Sequence, residues 1–73
     1  MLVFVLMKVR PGYEKEIIKE IKKLPKLQEA SIITGEFDII AKFDDENHIR
    51  LQTILITKLR KLSNIEETVT LIV

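Results

Sequence analysis

Lys23-Leu24-Pro25-Lys26-Leu27-Gln28-Glu29-Ala30 returns as Lys61-Leu62-Ser63-Asn64-Ile65-Glu66-Glu67-Thr68, a shift of 38 residues. The same shift lays Ile17 on Leu55, Ile21 on Leu59 and Ile33 on Leu71. The repeat covers the end of one patterned segment and the start of the next, so it marks two copies of one supersecondary unit. In the first copy Tyr13, Ile17, Ile18, Ile21 and Leu24 fall in one stripe at about 100° per residue. Lys15, Glu16, Lys19, Lys22 and Lys23 take the other side. The spacing predicts an amphipathic helix from Gly12 to Leu24, closed by Pro25. In the second copy Leu51, Ile54, Leu55, Leu59 and Leu62 share a stripe, predicting a helix from His48 to Leu62, ended by Ser63-Asn64.

The segments around these helices read as strands. Leu2 to Arg10 is apolar or β-branched at nearly every position until Lys8, and Pro11-Gly12 stops it. Leu27 to Thr34 alternates loosely; Gly35-Glu36-Phe37-Asp38 is a turn, and Ile39 to Phe43 completes a hairpin. Asp44-Asp45-Glu46-Asn47 supplies capping residues and acids suited to the start of the second helix. Ile65 to Val73 is the last strand. The order β-α-β-β-α-β is the α+β, ferredoxin-like split βαβ plan, a four-stranded antiparallel sheet with two helices on one face. By analogy with that plan the strand order is 4-1-3-2.

At 73 residues the chain is a single domain, and one this small buries only about 60% of its unfolded surface. It has no cysteine to staple it. Yet it holds 12 Ile, 9 Leu and 5 Val, more aliphatic side chain than one small core hides. Self-association resolves the excess. The helices cover one sheet face only. Strand one offers Val3, Val5, Met7 and Val9 on one side and Leu2, Phe4 and Leu6 on the other, and neither side is polar. Val3, Val5, Met7 and Val9 are expected at a sheet-to-sheet dimer interface. Ile49 and Ile56 lie roughly 150° from the centre of the second helix's stripe. They are either ordinary surface residues or a second contact.

Charge excludes other classes. Twelve basic residues against 11 acidic leave +1, too little field of one sign to hold a nucleic-acid backbone. No apolar run approaches the ~20 residues of a membrane span. The apolar start lacks the basic segment and cleavage site of a signal peptide, so a cytoplasmic protein is expected. Catalytic and metal chemistry are poorly supplied. There is one His, no Cys, and two Ser outside any nucleophile motif. His48 has no second ligand at metal-binding spacing, and Asp44-Asp45-Glu46 lacks the spacing of a calcium loop. The two glycines stand 23 positions apart, so no phosphate loop exists. RNA readers of this plan stack bases on aromatics of the central strands. Here those strands hold Phe4 and Phe43 without a basic-glycine-aromatic signature. No enzyme, cofactor or metal is expected.

Two features remain. Thr34-Gly35-Glu36-Phe37-Asp38 sets a glycine turn beside two carboxylates and a ring, and offers main-chain N–H and C=O groups. Such groups suit a zwitterion, N–H for its carboxylate and C=O or Asp for its ammonium. On the last strand Thr68-x-Thr70 puts two hydroxyls on one face, with Val69, Leu71 and Val73 on the other. Hydroxyls in a row bind polar ligands, and equally serve as ordinary strand formers.

Val9-Arg10-Pro11-Gly12, then Thr34-Gly35-Glu36-Phe37-Asp38-Ile39-Ile40, then Ile65-Glu66-Glu67-Thr68-Val69-Thr70, in that order, resemble the effector-binding domain of the Lrp/AsnC family, also called RAM. The resemblance covers essentially the whole chain, residues 1–73, and is nearest to the stand-alone form of that domain. Full-length members are transcription regulators carrying a helix-turn-helix that this sequence lacks, so direct DNA binding is not expected. The resemblance implies dimers that pair their open sheet faces and assemble into octamers or decamers. It implies an amino acid or similar small effector bound in clefts between dimers. Carried over by position, the ligand-binding residues are Gly35, Glu36, Phe37 and Asp38, with Thr68 and Thr70, and Thr34 and Leu71 beside them. His48 falls where the family's cleft is sometimes lined, and Phe37 stands where the family often has Tyr. The implied role is regulation of amino-acid metabolism. The alternative is a ligand-free assembly module that co-assembles with full-length Lrp/AsnC regulators.

Overall fold

β1 (Leu2–Val9) lies at the centre of a four-stranded sheet, and the computed structural model describes the chain from Met1 to Val73. The elements that follow are α1 (Glu14–Ile21), β2 (Leu27–Ile32), β3 (Ile39–Asp44), α2 (His48–Ile54) and β4 (Ile65–Ile72). The sheet order is β2-β3-β1-β4, and every pairing is antiparallel. This is the ferredoxin-like arrangement expected from the element order. No helix is long and apolar enough to cross a membrane.

The 38-residue repeat extends to the backbone. Lys26 (φ 67°) and Asn64 (φ 69°) are the two non-glycine residues in the left-handed region, and they occupy equivalent places after each helix. The turns before them also match, since Leu24 N donates to Ile21 O and Leu62 N to Leu59 O. Each helix is therefore closed by a tightened last turn and one left-handed residue, which reverses the chain into the next strand.

The helices are shorter than the hydrophobic stripes. α1 ends at Ile21. α2 has regular geometry only to Ile54; Leu55–Leu59 then forms a π turn, in which Arg60 N donates five residues back to Leu55 O at 3.2 Å. The Thr53 and Thr57 hydroxyls donate to the Ile49 and Thr53 carbonyls, at 2.9 and 2.6 Å. Such back-bonding competes with the helical ladder and loosens it. Even so, Leu51, Ile54, Leu55 and Leu59 all reach the core. Asn47 caps α2, its Oδ1 accepting from Arg50 N at 3.0 Å.

The two faces of β1 part company here. Val3, Val5, Met7 and Val9 are 0–3% exposed, under the helices, with Ile17, Ile21, Phe43 and Leu51. This corrects the expectation that those four residues form a dimer interface. They are the middle of the core, sealed within the single chain. Both faces of β1 are apolar, so the alternation alone did not say which one the helices cover. The open face is the other one: Leu2, Phe4, Leu6 and Lys8, all half-buried. Cross-strand partners share a face, so Ile40 and Lys42 of β3 and Glu67, Val69 and Leu71 of β4 join it. Phe4, Leu6, Ile40, Val69 and Leu71 make an apolar centre within a charged rim.

Candidate functional site

Asp38 ties the β2–β3 hairpin to the end of β1. Its N–H donates to Met7 O at 2.8 Å, its carbonyl accepts from Ile33 N at 2.8 Å, and its Oδ2 accepts from Val9 N at 2.9 Å. Oδ1 makes no hydrogen bond within the chain. The side chain is needed because the β1–β3 ladder ends at Met7 opposite Ile39, which leaves Val9 N without a strand partner on that side. On the β4 side the ladder breaks. Lys8 pairs with Glu67 and Val9 with Ile65, so Glu66 is an extra residue bulging from β4. Bulges re-aim side chains beside sites. This one brings Glu66 to a cleft of about 550 Å³, walled by Lys8, Val9, Pro11, Glu14, Gly35, Glu36 and Asp38. Gly35 has φ +126°, a backbone conformation that L side chains rarely adopt, although a Cβ there would meet open space. The glycine serves the turn, not a close approach.

The cleft is acidic. Four carboxylates (Glu14, Glu36, Asp38 and Glu66) face one amine, Lys8. Such a wall attracts an ammonium and repels a free carboxylate. The groups within one chain that can receive a ligand carboxylate are Lys8 and main-chain N–H groups of the turn.

Of the residues expected at a binding site, Gly35, Glu36 and Asp38 meet in this cleft. Thr34 is exposed and Phe37 half-buried in the same turn. Thr68 and Thr70 lie on the helix side of β4, opposite Met7 and Val5, and Leu71 lies on the open face opposite Phe4. Thr68 opens onto a shallow depression with Arg60, Ile65, Glu66 and Glu67, which shares Glu66 with the acidic cleft. Thr70 lines a different groove of about 300 Å³, between α2 and β4. His48 is exposed at the first turn of α2, after Asp44, whereas the hairpin turn precedes Ile39. β3 separates the two, so one chain does not bring them together. Lys8, Glu14 and Glu66 were not anticipated. Only the strand bulge reveals Glu66, and pairing register is invisible without the partner strand.

A second polar cluster holds the other end of the sheet. Asp45 is buried, and its carboxylate grips Arg50 in a two-pronged pair, Nε to Oδ2 and Nη2 to Oδ1, both 2.6 Å. Asn47 N adds a bond to Oδ1 at 3.0 Å. The Arg50 hydrogen bonds hold the Asp45 carboxyl well below the usual carboxylate range, against the opposing effect of burial. The cluster is internally satisfied, and no buried side-chain polar atom in the chain lacks a partner. It fixes the start of α2.

The family model for the Lrp/AsnC ligand-binding domain matches residues 2–73. The chain belongs to the Lrp/AsnC ligand-binding domain family. An HTH-type transcriptional regulator of Pyrococcus furiosus, itself uncharacterised, is 35% identical over 72 residues, covering 94% of this chain and 48% of its own length. The Lrp/AsnC chain described here thus spans about half the length of the regulators it matches. A hypothetical protein from Pyrococcus horikoshii shares the fold with a TM-score of 0.90 and 30% identity, over 96% of this chain and 84% of that one. Escherichia coli AsnC matches with a TM-score of 0.89 and 26% identity, over 99% of this chain and 49% of its own. The Pyrococcus furiosus relative is a transcriptional regulator by name, and the matched half of it aligns with this Lrp/AsnC ligand-binding domain.

Proposed function

We propose that this Lrp/AsnC domain binds an amino acid or a similar small effector and couples it to self-association. It would act in the regulation of amino-acid metabolism without catalysing a reaction. The observation that carries the reading is the acidic cleft at Gly35, Glu36 and Asp38, lying at the end of a sheet whose other face is open and apolar. Asp38, Glu36, Glu14 and Glu66 suit an ammonium group. They leave the effector's carboxylate to Lys8, to the turn's N–H groups, or to a neighbouring chain. A cleft that is half of a zwitterion site is what a domain completing its site between copies would present. Chains would pair through Phe4, Leu6, Ile40, Val69 and Leu71. Such dimers would build an octamer or a decamer with the clefts between them, and Thr68, at the shared wall of Glu66, would approach the ligand there.

The test is a thermal-shift scan of the chain against the twenty amino acids at millimolar concentration. Binding to the folded state adds RT ln(1 + [L]/Kd), about 2.7 kcal/mol at a hundredfold excess over Kd. One or a few amino acids are expected to raise the midpoint. Asp38→Asn keeps an oxygen to accept from Val9 N but removes the charge, and it is expected to lose the shift. No shift with any amino acid would leave the co-assembly module, paired with full-length Lrp/AsnC regulators, as the better reading.

A further inference from the structure

β2 and β4 are the two edges of the sheet, and they are guarded unequally. β2 carries Glu29 and a register shift at Gln28, features that spoil an edge for pairing. From Thr68 to Val73, β4 has no charge, no proline and no bulge. Its main chain is ready for a neighbour. Val73 N donates to Leu2 O at 3.0 Å. Antiparallel bonding alternates residue by residue, so Val69 and Leu71 also face β1. The N–H and C=O groups of Thr68, Thr70 and Ile72 then point off the sheet, and no loop or helix of the chain bonds them.

A second observation falls in the same region. Of six strongly exposed large apolar residues, five are Ile49 and Ile56 on the outer side of the second helix and Leu71, Ile72 and Val73 at the end of β4. Ile56 and Ile72 line one groove of about 300 Å³, with Gln52, Arg60 and Thr70. A row of outward main-chain donors and acceptors is satisfied by another strand, with side-chain pockets beside it setting which strand fits.

We infer that β4 pairs edge to edge with β4 of a second copy, antiparallel, with Thr70 opposite Thr70 on a two-fold axis. That register sets the outward residues against one another, Thr70 with Thr70 and Thr68 with Ile72, so each outward donor meets an acceptor. It places Val69 beside Leu71 on the open face, and no glutamate opposite a glutamate. On the helix side, the grooves lined by Ile56 and Ile72 meet across the axis. An isologous contact of this kind closes on itself. It lies at the sheet edge, separate from the open face used in the proposed function. A face-paired dimer would still present two such edges for growth into a larger ring. The inference goes beyond the effector reading and stands if that reading fails.

Amide hydrogen exchange on the intact chain tests it, alongside native mass spectrometry. The Thr68, Thr70 and Ile72 amides are expected to exchange about tenfold or more slowly than exposed loop amides. Thr70→Lys, at an exposed position, sets two ammonium groups against each other on the axis. It is expected to abolish the protection and reduce the largest assembly to the face-paired dimer, with the circular dichroism of the fold retained. Thr70→Ser, a small neutral control, keeps both. Leu6→Glu, which breaks face pairing, is expected to leave the edge protection in place. Free exchange of the three amides in the unmodified protein, or protection that survives Thr70→Lys, overturns the inference. Loss of protection in Leu6→Glu overturns it too, because the cover would then come from the face.

Discussion

Val5 and Leu6 are neighbours on β1, both aliphatic, and their fates are opposite. Val5 is sealed beneath the helices, and Leu6 is half open to solvent on the far side of the sheet. The same split runs along the strand, with Val3, Met7 and Val9 in the core and Leu2, Phe4 and Lys8 on the open side. Burial within one chain therefore stabilises the covered face. The open face offers its apolar area only to another molecule. One strand thus serves two roles, the odd residues holding the fold and the even ones available for assembly.

The sharpest way to break this comparison is to truncate each face in turn. Met7→Ala removes a fully buried side chain and is expected to cost about 2–5 kcal/mol, a large fraction of the stability of so small a domain. Leu6→Ala is expected to cost a single chain only about 1 kcal/mol. Its larger effect should be on association, visible as a concentration-dependent midpoint that drops with dilution. Denaturant titrations at two protein concentrations check both. Equal, concentration-independent losses would mean that the two faces do not differ.

An intermediate effect comes from the far end of the sheet, where electrostatics replaces packing. The Asp45 carboxyl is held low chiefly by the hydrogen bonds from Arg50, so its folded-state value lies below its unfolded one. The stability it supplies is present above the unfolded-chain value of 3.8 and is lost as pH falls below that. Asp45→Asn is expected to lower the midpoint at neutral pH and to flatten the acid limb of the stability curve below about pH 4. Thermal unfolding between pH 7 and pH 2 reads both. High salt should weaken the pair, because the Arg50 side chain is 53% exposed.

The smallest effect tests the two halves against each other. Lys26 holds a left-handed conformation, and Lys26→Gly is expected to gain about 1 kcal/mol. Asn64→Gly should gain less, since Asn enters that region more readily than Lys. Chemical denaturation of the two variants shows whether the equivalent turns are equally strained.

Much of the fold was legible because its signals are local. The helix stripes around Ile17, Ile21, Leu51 and Leu55, the Pro11-Gly12 and Gly35 turns, and the repeat at Lys23 and Lys61 are properties of short segments. What escaped were properties of pairing. Whether Val5 or Leu6 faces the helices depends on how the crossovers pack, and a strand apolar on both sides is silent about it. The π turn at Leu55 coincides with hydroxyl back-bonding by Thr53 and Thr57, and no periodicity displays either. The acidic cleft was half visible. Gly35, Glu36 and Asp38 are contiguous, whereas Glu14 and Glu66 arrive from other elements. His48 and Thr70 share a chain with that turn but not a cavity, so any site that used them together would need a second copy.

The most direct measurement is a nuclear magnetic resonance titration of the labelled chain with the amino acid that shifts its thermal midpoint most. Saturable changes are expected at Gly35, Glu36 and Asp38 and at Lys8, Val9 and Glu66 of the cleft wall. They are expected to be lost in Asp38→Asn while the core signals of Met7 and Phe43 stay in place. Changes confined to other surfaces, or none with any amino acid, would contradict the assignment of this cleft as the effector site.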